Sequence, residues 1–374
     1  MPKYKFSEIA YNINQKKMPE PGDEEMYIGL EHLDSGSLKV KRWGSDVPIT
    51  GEKLVMKKGD ILFGRRNTYL RRAAIAPHDG IFSAHGMIFR PNTAVMDEDY
   101  FPFFISSDYF MNAAIRISVG SLSPTVNWKT LKELEFDIPD LESQRKSAAL
   151  LTAANRLKEA YEILLEETDQ LVKSQFIEMF GWENDDMKSI GEIATICRGA
   201  SPRPISQYIT DDDNGVNWIK IGDVSEEDIY ITRTAEKITL EGASKSRAVV
   251  PGDFILSNSM SFGRPYLVDI NGCVHDGWLI ISDYQQHLHP LFFYYELRSD
   301  LVQRQFDGSA NGSCVKNLNS DLVRKVKIHI PPMTKQIEFV DFAKQSDKSK
   351  FEIKQSIKNI TEVINSLLQQ DFNI

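Results

Sequence analysis

LESQRKSAALLTAANRLKEAYEILLEETDQLVKSQFIEMF, residues 141–180, and MTKQIEFVDFAKQSDKSKFEIKQSIKNITEVINSLLQQDF, residues 333–372, decide the fold of this chain. Neither contains Gly or Pro, so each predicts one uninterrupted helix, long for a globular protein. Each opens just after an Ile-Pro, at Ile138-Pro139 and Ile330-Pro331, and each carries a Gln at the same distance past it, Gln144 and Gln336. Apolar residues fall at Leu150, Ala154, Leu157, Tyr161, Leu164 and Leu171 in the first, with Thr168 breaking the alternation. In the second they fall at Ile353, Ile357, Ile360, Ile364 and Leu367. Steps of three and four make a coiled-coil seam. A lone amphipathic helix cannot bury its stripe, so the two are expected to bury theirs against each other, although two unrelated surface helices would also read this way.

Working outward from the helices, the chain is one unit written twice. Phe6-Ser-Glu-Ile-Ala10 returns as Ile190-Gly-Glu-Ile-Ala194, and Tyr27-Ile-Gly-Leu-Glu31 as Trp218-Ile-Lys-Ile-Gly222. Lys58-Gly-Asp-Ile-Leu62 returns as Pro251-Gly-Asp-Phe-Ile255, and His85-Gly-Met87 as Asp276-Gly-Trp278. Gly120-Ser121 returns as Gly308-Ser309. The matched points are turns and core strands, and the sequences between them differ widely. Binding residues usually sit in loops on a shared scaffold. A tandem pair reading two versions of one kind of target would have this form, as would two copies that merely drifted apart. In each copy, short apolar runs bounded by Gly-Asp turns (Asp60–Phe63, Phe254–Leu256) read as strands. Helical spacing then covers Tyr100–Ile117 and Leu291–Phe306. The fold class is α+β: two mixed α/β domains, residues 1–140 and 181–332, each followed by a long helix, 141–180 and 333–374, with the helices pairing as an antiparallel coiled coil. Gly181–Asp186 is the expected boundary between the copies.

The 374 residues are 41% hydrophobic and 26% charged, an ordinary globular composition with a formal net charge of −9. No apolar run is long enough to span a membrane, and MPKYKFSEIA has no apolar signal region. Cys197, Cys273 and Cys314 are few and scattered, which suits a reducing cytoplasm. The chain lacks a phosphate-binding G-x-x-x-x-G-K-[ST] loop, an H-E-x-x-H and a G-x-S-x-G. Ile330-Pro-Pro-Met333 lacks the polar and aromatic residues of an amino-methyltransferase motif. His287-x-His289 has no third ligand, and Asp211–Asp213 and Glu226–Asp228 read as solvated loops.

The positive signals are for polyanion and base-edge contact. Gly64-Arg-Arg-Asn-Thr-Tyr-Leu-Arg-Arg72 places Arg65, Arg66, Asn67, Tyr69, Arg71 and Arg72 in the turn after a predicted strand. Arginine forks match phosphate oxygens and the guanine O6/N7 edge, and Asn matches adenine. At the same place in the second copy stand Asn258, Ser259, Ser261 and Arg264. A second candidate loop, Gly120–Lys129, offers Ser121 and Lys129; its echo, Gly308–Asn317, offers Ser309, Asn311 and Lys316. Ser83-Ala-His85 and His275-Asp-Gly-Trp278 add polar groups, or else a satisfied His and a core Trp.

Tyr27–Gly36, Lys58–Gly64, Gly120–Pro124, Ile193–Pro202, Ser259–Pro265 and His275–Trp278, with the repeat and both Ile-Pro lead-ins, resemble the specificity subunits of type I restriction–modification systems. The resemblance covers essentially the whole chain. It implies a non-enzymatic DNA-binding subunit with two target-recognition domains, each reading one half of a bipartite double-stranded site. It implies that the paired helices hold the domains apart, set the gap and dock two methyltransferase subunits. S-adenosylmethionine, ATP and Mg belong on the partners, restriction subunits among them. A specificity subunit of a related system that cuts on both sides of its site is a close alternative. An enzyme with an unrecognised motif and a tandem adaptor that does not bind DNA are further ones.

Overall fold

Both glutamines of the lead-ins are fully buried, and each makes the same three bonds. Gln144 donates through Nε2 to the carbonyls of Val95 and Pro139, both at 2.8 Å, and accepts from the Asp97 amide at 2.7 Å. Gln336 donates to the His287 carbonyl at 3.0 Å and the Pro331 carbonyl at 2.8 Å, and accepts from the His289 amide at 2.7 Å. A primary amide has two donors and one acceptor oxygen, so it suits a site with two carbonyls and one amide. Each glutamine ties the root of its long helix to the loop entering the helical layer of its own domain.

The computed structural model describes residues 1–181, 187–226, 228–258, 263–309 and 318–372, with only the backbone of Gly308 and Ser309. The expected boundary lies mostly in residues 182–186, outside the described residues. The first long helix spans Leu141–Phe180 and the second Met333–Phe372, 40 residues each. Asp140 caps the first: its carboxylate accepts the Ser143 amide at 3.0 Å and the Ser143 hydroxyl at 2.9 Å. These bonds hold its carboxyl below the usual range. The chain divides into two compact units, Met1–Leu164 with the chain from Ile353 onward, and Leu165–Glu352.

In the first unit, one antiparallel sheet has the order Ala10–Ile13, Met87–Pro91, Ile61–Phe63, Ala73–Ile75. A second has the order Lys16–Lys17, Lys53–Met56, Gly80–Phe82, Tyr27–Ile28, the last pair parallel. Helices Phe101–Ser106 and Asp108–Arg116 cover the first sheet; Ser107 caps the second of them by accepting the Phe110 amide at 3.2 Å. The core here is aromatic, with Phe6, Phe63, Phe89, Phe104, Phe110 and Phe136 in one cluster.

The second unit repeats the plan. Thr195–Arg198, Trp278–Ser282, Phe254–Ser257 and Pro265–Val268 keep the order of the first sheet, with Tyr230–Ile231 added in parallel at the edge. Arg247–Val249, Gly272–Val274 and Val216–Ile219 match Lys53–Met56, Gly80–Phe82 and Tyr27–Ile28, including the parallel pair. The strand Glu236–Ile238 extends this sheet and pairs with Ile209–Thr210. Helices Pro290–Arg298 and Asp300–Ser309 occupy the helical layer.

The long helices pair antiparallel. In the first unit Ala148 and Leu151 share a cluster with Leu368 and Phe372. Asp371 there accepts from the Ser147 hydroxyl at 2.8 Å and the Tyr100 hydroxyl at 2.9 Å. In the second unit Phe176 meets Phe339 edge-on at 5.1 Å, and Lys350 bonds Asp169 at 3.0 Å. The seam of the second helix follows the expected residues, with Ile353 buried and Ile357, Ile360, Ile364 and Leu367 half-buried. That of the first is shifted by about one residue. Leu150, Leu157 and Leu171 are 58%, 50% and 53% exposed, while Leu151 and Val172 are buried. The middle of the buried side is polar, which hides it from a hydrophobicity reading. Lys158 donates to the Gly36 carbonyl at 3.1 Å, and Glu162 meets Lys41 at 3.5 Å.

Candidate nucleic-acid interface

In the first unit the two candidate loops come together. The buried strand Ile61–Phe63 delivers Gly64, whose amide donates to the Arg72 carbonyl at 2.9 Å and closes the arginine turn. A Cβ on Gly64 would stand 3.1 Å from that of Arg72, so the crossing favours glycine. The turn is zipped to the neighbouring loop. The Asn67 amide donates to Pro124 at 2.8 Å, and the Val126 amide donates to Arg65 at 2.9 Å. Arg66 Nη2 reaches the Ser123 hydroxyl at 3.3 Å. Asn67 and Arg71 adopt left-handed backbone, with φ of 54° and 51°; this is common for Asn and uncommon for Arg.

The arginines divide. Arg66 and Tyr69 are exposed. Arg71 is held by Asp108 and Asn112 of the helix behind. Arg65 and Arg72 are half-buried, and Arg65 Nε and Asn67 Oδ1 have no hydrogen-bond partner among the described residues. Ser121 is exposed in the loop opened by Gly120 (φ 111°), and Lys129 is exposed on the short helix Trp128–Leu131. Arg66, Tyr69, Ser121 and Lys129 are thus outward-facing groups on this pair of loops and the helix that follows.

The second unit is built differently. Asn258 is only 4% exposed. Its amide donates to Gly277 at 3.1 Å, its Nδ2 to the Asp276 carbonyl at 3.1 Å, and its own carbonyl accepts from Leu318 at 2.9 Å. It fastens the root of the loop from inside. Arg264 pairs with Glu226 at 2.7 Å. Ser259, Ser261, Asn311, Lys316 and the side chain of Ser309 lie outside the described residues. Trp278 is fully buried, and His275, half-buried, accepts the Gly277 amide on Nδ1 at 2.6 Å. Burial lowers the His275 pKa. Both read as interior groups.

Sequence reasoning passed over a cluster around Asp276. The Asp276 carboxylate accepts the Ser201 hydroxyl at 2.8 Å and Arg203 Nη2 at 2.9 Å, and its carbonyl accepts Arg198 Nε at 2.9 Å. The Ser201 bond first, then Arg203, holds this carboxyl below its ordinary range. Two arginines five residues apart are a faint signal, and only the fold brings them to one aspartate. His287 and His289 are the residues bracketed by Gln336, and His289 also caps a helix by accepting the Leu291 amide at 3.2 Å. No group of three or more His, Cys, Asp or Glu among the described residues is placed to hold a metal ion. No described helix is long and apolar enough to cross a membrane.

Two tandem copies of one scaffold, joined by paired helices and differing in their loops, define a bipartite recognition protein. The sequence model of the type I restriction modification DNA specificity domain matches residues 6–167 and again 181–362. The chain belongs to that family: it is a type I specificity subunit, non-catalytic, recognising the DNA target within its complex. It is 22% identical over 339 residues to the putative type I restriction enzyme MjaX specificity subunit of Methanocaldococcus jannaschii, covering 82% of this chain and 76% of the relative. Its fold is similar to a chain in a structure of complex assembly and conformational transition of the type I R-M system, with a TM-score of 0.63 at 18% identity over 99% and 97% of the two chains. It is also similar to the type I S subunit from M. genitalium, with a TM-score of 0.55 at 13% identity over 99% and 96%.

Proposed function

We propose that each domain, residues 1–140 and 181–332, reads one half of a split double-stranded DNA site. The helical segments 141–180 and 333–374 set the gap and dock two methyltransferase subunits. The observation that carries this reading is a pair of domains whose sheets share a central strand order, differ at their edges and diverge in their loops, one bearing the arginine turn. In the first domain, Arg65, Arg66, Asn67, Tyr69, Arg72, Ser121 and Lys129 form the contact surface, with Arg71 holding the turn to the helix behind. In the second, Ser259, Ser261, Arg264, Ser309, Asn311 and Lys316 form it, with Asn258 anchoring the loop.

Docking is supported by apolar side chains on the outward face of the first long helix: Leu150, Leu157 and Ile163 in the first unit, and Leu171 and Ile177 in the second, all exposed. Such a stripe suits an amphipathic partner helix. S-adenosylmethionine acts on the methyltransferase subunits, and ATP and Mg act on restriction subunits where these join. The setting is cytoplasmic. With a net charge of −9, much of the neutralisation of DNA falls to partners. Methylation sequencing of the host with and without this gene tests the reading. Loss of one bipartite methylated sequence is expected; an unchanged methylome refutes it.

A further inference from the structure

The two units place their cations on different segments of one scaffold. In the first, Ile13 pairs with Ile88, one residue past the turn at Gly86-Met87. In the second, Arg198 pairs with Leu279, one residue past the matching turn at Gly277-Trp278. Arg198 therefore stands where the first unit has Ile13. Conversely, the exposed Arg66 turn of the first unit has as its counterpart a turn whose cation, Arg264, is already paired with Glu226.

We propose that Arg198 and Arg203 form the DNA-backbone clamp of the second domain, held in place by Asp276. This rests on the DNA-reading function proposed above. Arg198 spends only Nε on the Asp276 carbonyl, so its two terminal nitrogens are uncommitted by that bond. Arg203 spends Nη2 on the carboxylate and is 79% exposed at its side chain. Asp276 brings one negative charge to two guanidiniums, Arg203 on its carboxylate and Arg198 on its main-chain carbonyl, which leaves the trio net positive. Arg203 also borders an open cleft of about 1000 Å³ walled by Pro202, Pro204, Ile205 and His275, so the charge faces solvent. Asp276 ties the pair to the reading loop, since the same carbonyl accepts Asn258 Nδ2 at the root of that loop. A guanidinium fixed at one edge and open at the others is pre-organised for phosphate oxygens. Asp276 is the positioning residue; the arginines make the contact.

The test uses the full chain with its methyltransferase subunits, titrated on a duplex carrying the sequence it methylates, across 50–200 mM salt. Removing one guanidinium–phosphate pairing should flatten the slope of log K against log salt by roughly 0.9. Arg198→Ala with Arg203→Ala should therefore lower the slope by about two, equally on a duplex with a scrambled second half-site. Arg198→Gln with Arg203→Gln keeps polar groups beside Asp276 and guards against misfolding; the same fall is expected. A folded Gln double variant with wild-type slope overturns the clamp. Failure of the wild-type complex to prefer its own duplex would instead overturn the DNA-reading function.

Discussion

Gln144→Ala is expected to loosen the first unit far more than the loss of a side chain from a helix surface would. The substitution strands three groups: the carbonyls of Val95 and Pro139 and the amide of Asp97. The site is fully buried. A buried backbone group without a partner costs about 1–3 kcal/mol. Three such groups, partly relieved by water entering the gap, give roughly 3–5 kcal/mol. In a unit of this size that lowers the melting midpoint by about 6–20 °C at ~2–4 °C per kcal/mol. Gln144→Glu sharpens the test. Its carboxylate keeps an acceptor for Asp97 but turns an oxygen towards two carbonyls, so burial and repulsion raise its folded pKa. A raised pKa means stability that is present at acid pH and lost as pH rises through the folded value. The Glu variant should therefore be as unstable as the Ala variant at pH 7 and recover part of the loss towards pH 5. The assay is differential scanning calorimetry at pH 7 and pH 5. A Gln144→Ala protein within 1 kcal/mol of wild type, or a Glu variant indifferent to pH, would refute the bracket.

Arg66→Ala should weaken specific DNA binding by about 1–3 kcal/mol if Arg66 reads a base, measured by competition against single-base variants of the first half-site. Leu151→Ser should cost about 2–4 kcal/mol of stability and Leu157→Ser under about 1 kcal/mol, because the first lies in the buried seam and the second faces out; equal losses in urea unfolding would reject the shifted register. Asp60 and Asp253 occupy the same Gly-Asp turn, yet their Asn variants should behave oppositely. Asp60 bonds Arg90 at 2.5 and 2.9 Å, so Asp60→Asn should lose roughly 1.5–3 kcal/mol at neutral pH. Burial pushes the Asp253 carboxyl up, so its ionised form is a cost above its folded pKa, and Asp253→Asn should gain on wild type as pH rises from 4 to 7. Four residues inserted near Glu166–Gln170 add about 6 Å of helix and should widen the methylated site's gap by one or two base pairs without altering either half; an unchanged gap would assign the spacing to the methyltransferase subunits.

The long helices, the strand plan and the glutamines were legible because each is written twice, and repetition separates scaffold from loop. The phase of the first long helix was not. Its most regular apolar series, Leu150, Leu157, Leu164 and Leu171, faces outward, while the inward face carries Lys158 and Glu162 bonded to the domain beside them. Hydropathy marks apolar residues wherever they stand, and here the helix carries them on an exposed face as well as in the buried seam. Among site residues, the arginine turn announced itself by density. Arg198 and Arg203 did not, since their common partner, Asp276, lies more than seventy residues away in the chain.

The second unit is one unbroken stretch of chain, Leu165–Glu352, whereas the first draws on residues from both sides of it. Phe372 packs against Tyr109 at 4.7 Å, Phe104 at 5.8 Å and Tyr100 at 6.2 Å. During synthesis those aromatics leave the ribosome 263 to 272 residues before their partner does. The unit translated first is therefore the last to be finished. A ribosome that stalls or terminates within residues 353–372 releases a chain with a complete second unit and an open hydrophobic floor in the first, a ready target for chaperones and proteases. The order of manufacture thus makes closure of the first domain wait on the last turns of the second long helix.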